Sequence, residues 1–261
     1  VYTPENSNLP GKTVISIVQE KQGRIWFGTD EGVVADLFGT VYNSDNSGLP
    51  GNLVTEMYID DSGLIWIATD NGITSFDGNT WTSHISGTGI LPQELVRAIE
   101  IDKYNNLWAS FIFGSDGAIF VFDGQNWELV EPEGDFFEGV GVYDIISTEK
   151  GDVWFSTHHK GLIKYDGTNF EHFMVSNSDI PINQILSLAV DSSGYVWMGS
   201  RKGLTKVISS PSSNLIPAEE SITVQVTPNP FKYFTEISVP EEIKRPYSFS
   251  LYNANGRQVK L

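Results

Sequence analysis

Short runs of alternating apolar and polar residues recur along most of this chain, each broken by Gly, Asn or Asp. "NLVTEMYID" (residues 52–60) is followed by "DSG" and then by "LIWIATD"; Asn71 and Gly72 lead into "ITSFD", and "GNT" leads into "WTSHI". Period-two alternation bounded by turn residues predicts strands joined as tight hairpins. The turns fall to Gly, Asn and Asp because positive φ costs these residues least. Four such strands in sequence make one antiparallel sheet.

The unit repeats. Trp26 ("GRIWFGTDEGVV"), Trp66 ("GLIWIATDNGIT"), Trp108, Trp154 ("GDVWFSTHHKGLI") and Trp197 ("GYVWMGSRKGLT") follow one another at intervals of 40 to 46 residues. A period of this length predicts an all-β, five-bladed β-propeller with one four-stranded antiparallel blade per repeat. Each Trp falls on a second strand, where a large flat side chain fills the space between blades. The connectors repeat as well: "NSNLPG" (6–11) returns as "NSGLPG" (46–51), "GTGILPQ" and "NSDIPIN", whereas "EPEGDFFEGVG" before the fourth Trp lacks the signature.

The fifth repeat has no outer strand, and "VYTPENSNLPG" at Val1 aligns without a gap to "VYNSDNSGLPG" at Val41. Val1–Thr3 is therefore expected to complete blade five and close the ring, removing an open sheet edge. The alternative is a larger propeller to which these blades belong. Residues 209–220 read as a Pro/Ser linker after the propeller of residues 1–208. Residues 221–261 contain strand-like alternation without the Trp repeat, a small partial β-sandwich-like unit.

The formal net charge of −17 repels phosphates, which argues against nucleic acid and anionic membrane surfaces as partners. Without cysteine, disulfides and thiolate metal sites are excluded. No apolar run is long enough for a membrane span. A leading Val1 fits removal of a signal peptide or an arbitrary boundary equally.

The window "DDSGLIWIATDNGI" around Trp66 resembles the two-component regulator propeller repeat. That resemblance spans about residues 1–208 and implies blades like those in periplasmic sensor domains of hybrid histidine kinases, often glycan-responsive, or in secreted proteins. "TPNPF" (227–231), "TEISV" (235–239) and "FSLYNANGRQV" (249–259) resemble the C-terminal sorting domain of type IX secretion. This second resemblance implies export through the type IX machinery of a Gram-negative bacterium and an extracellular or outer-membrane surface location.

In a propeller the connectors and the turns between second and third strands share one face. That face is expected to display Asp30, Glu31, Asp70, Asn71, Ser115 and Asp116, then His158, His159 and Lys160, then Arg201 and Lys202. Such loops vary on a constant scaffold, which is where binding residues usually sit. Aligned on their turns, the innermost strands place Ser16, Glu56, Ala98, Asp144 and Ser187 in one column and Ile15, Thr55, Arg97, Tyr143 and Leu186 in the next. The candidate ligand site is thus the channel mouth on the connector face, formed by Glu56, Arg97, Tyr143, Asp144, His158, His159 and Arg201.

No Gly-x-Ser-x-Gly elbow and no His-Glu-x-x-His occurs among the residues, and adjacent His158 and His159 on extended backbone point apart. No catalytic residue, metal or cofactor is assigned. Asp-rich turns such as "DGNT" read as self-capping, not as calcium loops. The expected function is a non-enzymatic binding module for a glycan, peptide or protein. An extracellular sensing domain and a polysaccharide lyase or hydrolase are the alternatives, Glu56 and Asp144 being the acid and base of the last.

Overall fold

The computed structural model describes residues 1–84, 91–113, 116–132, 134, 136–137, 139–207 and four short strands beyond them. The chain divides into two compact units, Val1–Ile208 and Ser209–Leu261. In the first, blade one comprises β1 (Val14–Gln19), β2 (Ile25–Thr29), β3 (Gly32–Ala35) and β4 (Val41–Tyr42). Blade two comprises β5 (Val54–Ile59), β6 (Ile65–Thr69), β7 (Gly72–Phe76) and β8 (Trp81–Ser83), and blade three β9 (Leu95–Ile101), β10 (Leu107–Phe113), β11 (Asp116–Phe122) and β12 (Trp127–Leu129). Blade four follows as β13 (Val142–Ser147), β14 (Val153–Thr157), β15 (Leu162–Tyr165) and β16 (Phe170–Phe173), and blade five as β17 (Ile185–Val190), β18 (Val196–Ser200) and β19 (Gly203–Val207). The first four sheets are four-stranded meanders and the fifth has three strands.

The core lies between blades. Trp26 and Val33 of blade one pack against Val54, Met57, Ile67 and Phe76 of blade two, and Trp66 and Ile73 of blade two against Val96, Ile99 and Phe111 of blade three. Trp108 and Ile119 repeat the contact with Val142, Ile145 and Phe155; Trp154 and Leu162 do so with Ile185 and Met198. Each connector adds one apolar plug: Leu49, Leu91 and Ile180 enter three of these clusters, and Phe137 of the irregular connector enters the fourth. On the outer strands Phe76 stacks on Trp81, Phe122 on Trp127 and Tyr165 on Phe170, each pair directly opposite in register.

A clamp explains why an acidic residue, a turn and the Trp recur together. Asp102 Oδ1 accepts the Tyr104 and Asn106 N–H groups at 2.9 Å, while Oδ2 accepts the Trp108 indole N–H at 2.9 Å. Asp191 does the same for Ser193, Tyr195 and Trp197, and Glu20 takes the Trp26 indole. Each such turn needs one residue at positive φ, which is Gly23, Gly63, Gly151 or Gly194 and, in blade three, Asn105 at φ 65°, a residue that tolerates this region. The "DG" turns are capped in the same manner: Asp77 accepts from Asn79 and Thr80, Asp123 from Gln125 and Asn126, and Asp166 from Thr168 and Asn169. These bonds hold all three carboxyls below their usual range.

Ring closure is not shown. Among the described residues no fourth strand lies beside β19, Val1–Thr3 lies outside any strand, and β1 packs on β5 and β17 on β13 without comparable packing of β17 on β1. In the second unit, Gln225–Thr227 pairs antiparallel with Glu236–Ser238, and Leu251–Tyr252 with Gln258–Val259. The linker at 209–220 and most of the "TPNPF" and "NANGR" segments lie outside the described residues.

Among the described residues the buried indole N–H groups of Trp66 and Trp154 have no partner. In blade two Asp60 caps Ser62 and Leu64 without reaching Trp66, and blade four has Thr148 where the clamp needs a carboxylate. Thr148→Asp is expected to supply one for Trp154, with Lys164, already paired with Asp152 at 3.5 Å, having its Nζ 5.8 Å from the Trp154 ring. An unsatisfied buried donor costs about 1–3 kcal/mol, so the unfolding midpoint should rise by roughly 2–4 °C in calorimetry.

Candidate functional site at the channel mouth

The innermost strands share a local irregularity. Register shifts occur between Val14 and Ser16, Val54 and Glu56, Val142 and Asp144, and Ile185 and Ser187; in blade three the shift skips Arg97. Ile15, Thr55, Arg97, Tyr143 and Leu186 are therefore the extra residues of five equivalent β-bulges, which bend the strand and re-aim its side chains.

Past the bulge, the next side chain reaches the following blade. Ser16 Oγ accepts the Met57 N–H at 3.0 Å, Glu56 Oε2 the Ile99 N–H at 2.7 Å and Asp144 Oδ2 the Leu188 N–H at 2.6 Å. Ala98 has no acceptor to offer, and the Ile145 N–H turns to the carboxylate of Asp144 instead. Glu100, which the sequence reading did not single out, makes a second rung by accepting both Ser147 N–H and Ser147 Oγ–H at 2.8 Å. A Glu three residues past the bulge residue Arg97 was the available signal.

These carboxyls are all shifted. Burial pushes Glu56 up to about 8, against the Ile99 hydrogen bond, and nearby Asp144 and Glu100 raise it further while Arg97 lowers it. Burial likewise pushes Glu100 up to about 7, against its bonds from Ser147, and raises Asp144, which the Leu188 and Ile145 bonds and Arg97 oppose.

Arg97, the exposed bulge residue of blade three, places its guanidinium 5.3 Å from the Tyr143 ring centroid. Tyr143 lies 5.4 Å from His158, and His158 lies 5.7 Å from His159 with perpendicular rings. His158 is fixed through its backbone N–H to Gly141 O at 3.1 Å. The structure thus brings Arg97, Tyr143, His158 and His159 into one contiguous strip. It brings Glu56 and Asp144 beneath that strip as inter-blade bridges, and it shows no contact between Arg201, exposed on the β18–β19 turn, and the strip. Ser115 and residues 85–90 lie outside the described residues.

The other two histidines are structural. His84 sits among Trp66, Phe122 and Trp127, and burial pushes it down to about 4. His172 bonds through Nε2 to Lys160 O. Among the described residues no group of three His, Asp or Glu is placed to hold a metal ion. A cavity of about 320 Å³ lies on the opposite face, between blades three and four, lined by Tyr104, Trp108, Asp123, Glu128 and Tyr165 among others.

The two component regulator propeller family matches residues 8–31, 48–71 and 179–202, each segment covering a connector, the first two strands and the turn after them. The extracellular domain of BT4673 from B. thetaiotaomicron, described as a one component system, superposes with a TM-score of 0.64 at 17% identity, covering 75% of this chain and 27% of that one. That of BT3049 from the same organism, described as a hybrid two component system, gives 0.60 at 22% identity, covering 73% and 27%. Virginiamycin B lyase from Staphylococcus aureus gives 0.57 at 14% identity, covering 74% and 69%. At these identities the likeness shows the fold, an array of β-propeller blades. The chain spans about a quarter of the length of the two extracellular domains, 27% in each case. No curated protein sequence matches it.

The raised carboxyls set a sign for pH dependence. In the folded state Glu56 and Glu100 hold protons up to about 8 and about 7, whereas unfolded they release them near 4.5. Their contribution is fully present below 4.5 and is lost as pH rises through 7 to 8. His84 acts oppositely, since folded it stays neutral down to about 4 and unfolded it protonates near 6.5, so stability falls on acidification through that window. Calorimetric midpoints should therefore decline from about pH 6.5 to about pH 9. Glu56→Gln, which keeps an acceptor oxygen without a charge, should flatten that decline; an unchanged slope would contradict the assignment.

Proposed function

We propose that the propeller unit is a non-enzymatic binding module outside the cell, which takes a glycan, peptide or protein ligand on the connector face. The observation that carries this reading is the strip Arg97–Tyr143–His158–His159, a cation and three rings in continuous contact on bulges and turns. Guanidinium and aromatic faces present donors and stacking surface together, the combination that dominates binding hot spots. Arg201 extends the site if a ligand is large enough to cross to blade five. Glu56 and Asp144, first read as ligand contacts, act in this proposal through the scaffold, because each spends a carboxylate oxygen on a neighbouring blade's N–H.

The extracellular location is supported by the fold's occurrence in extracellular domains and by the resemblance of the tail to type IX sorting domains. Among the described residues no helix is long and apolar enough to cross a membrane. A sensing role within a signalling system is the second reading, favoured by the regulator-propeller matches in three repeats. A lyase or hydrolase has less support: both candidate carboxyls hold backbone N–H groups, and His84 and His172 are committed to packing and a carbonyl.

The test separates site from scaffold. Glycan and peptide arrays followed by calorimetric titration should yield a ligand whose affinity falls at least about tenfold in Arg97→Ala and in Tyr143→Ala, a loss of ~1.4 kcal/mol, with unchanged melting. Glu56→Ala should do the reverse, lowering the melting midpoint by several degrees. Arg97→Ala and Tyr143→Ala binding like the parent would refute the site.

A further inference from the structure

We propose that the cavity between blades three and four, on the face opposite the Arg97 strip, binds an ammonium or guanidinium group carried on an alkyl stem. Trp108, only 5% exposed, and Tyr165 form two of its walls with ring centroids 5.5 Å apart. Tyr104 adds a third ring at the mouth, 65% exposed. Asp102, Asp123 and Glu128 supply carboxyls, and none of the lining residues is a Lys or Arg. The volume of about 320 Å³ lies at the small end for ligand sites. Aromatic faces beside carboxylates in so small a space suit one cationic head.

Other blades show what this environment takes, because there the chain fills it with its own cations. In blade four Lys164 lies directly opposite Trp154 in register. Its Nζ is 5.8 Å from the indole ring and 3.5 Å from Asp152. In blade one Arg24 comes within 3.8 Å of Glu20, the carboxylate that holds the Trp26 indole N–H. Aligned on the Trp, Lys164 corresponds to Val121 of blade three, which is opposite Trp108, and Arg24 corresponds to Asn106. Both replacements are shorter and uncharged. Blade three therefore keeps the Trp and its carboxylate, joined by the Asp102 clamp, without a cation of its own beside them. Blade two has Leu64 and Ser75 at these positions, and there His84 lays its ring 4.8 Å from Trp66.

Blade three also adds groups suited to a cation. Tyr104 stands in its first turn where Gln22, Ser62, Lys150 and Ser193 stand in the others. Glu128 is opposite Val121 on the outer strand, in the same row as Trp108. Asp123 spends Oδ1 on the N–H groups of Gln125 and Asn126, and these bonds hold it below the usual carboxylate range. Across the cavity, blade four presents Gly151 and Gly167, which have no side chain to fill the space. Lys103 borders the site and is already engaged, donating to Lys150 O with its Nζ 4.8 Å from the Tyr104 ring. Its charge offsets one of the three carboxyls, and its position shows that this ring accepts an ammonium. The formal net charge of −17 draws cations toward the chain.

The Trp108 indole N–H resonance of ¹⁵N-labelled protein reads the site directly. N-acetyl-lysine methylamide and N-acetyl-arginine methylamide should each shift it saturably, and less tightly as salt rises. N-acetyl-norleucine methylamide, which has a similar stem without the charge, should leave it in place. Tyr104→Ala and Glu128→Gln, both at exposed positions, should each weaken binding roughly threefold or more with unchanged melting. Val121→Lys gives blade three the residue that blade four carries, and should abolish binding while the melting midpoint stays at or above the parent's. n-Butylamine binding as tightly as the lysine derivative would assign the site to free amines, whereas much tighter binding of a Lys- or Arg-containing peptide would assign it to a protein chain. Equal shifts from the norleucine derivative, or none from either cation up to its solubility limit, would overturn the proposal. So would a Val121→Lys chain that binds like the parent.

Discussion

The structure depends on the junction between successive blades. A four-stranded sheet has two faces, and neither is buried until another sheet lies against it. Trp26 and Val33 have no core of their own; they become interior only where Met57 and Ile67 arrive from the next repeat. The same apolar halves meet four times, so stability accrues junction by junction and the polar groups at each junction must be satisfied across it. The bulges meet that demand. They turn Ser16, Glu56 and Asp144 toward the following blade, where each accepts a backbone N–H that would otherwise be buried without a partner.

That requirement divides the channel-mouth residues between two tasks. In three blades the residue after the bulge, Ser16, Glu56 or Asp144, is committed to the neighbouring blade. The bulge residue itself is exposed at Ile15, Arg97 and Leu186 and part-buried at Thr55 and Tyr143. In blades three and four the bulge residues are Arg97 and Tyr143, which touch each other. The strip proposed to bind a ligand rests on these bulges and turns, where side chains can vary while the scaffold stays fixed. A rigid base under adaptable side chains lowers the ordering cost of binding.

The repeat and its turns were legible in the residues because they rest on local rules. Trp spacing, alternation and positive-φ Gly each leave a mark in a window of a few positions, and Asn105 in place of a turn Gly still obeys the rule. The roles of Glu56 and Asp144 were not legible, because a carboxylate early in an inner strand reads alike whether it faces the channel or the next blade. The bulge that decides between these adds one residue without disturbing the apolar pattern. Phe137 replaces the usual connector Leu from within an irregular loop, which no motif marks. The match of Val1–Thr3 to an outer strand was visible, but the angle between blades is set by junction packing summed over the array. The segment has the local turn geometry of the other connectors, and its pairing with blade five is not shown.

Amide hydrogen exchange in dilute protein tests the junction account most directly. The amides of Met57, Ile99 and Leu188, capped from the preceding blade, should be protected to nearly the same high degree. The equivalent amide of Ile17, on an open face, should exchange faster by orders of magnitude. Equal protection at all four residues, or rapid exchange at the three capped ones, would contradict it.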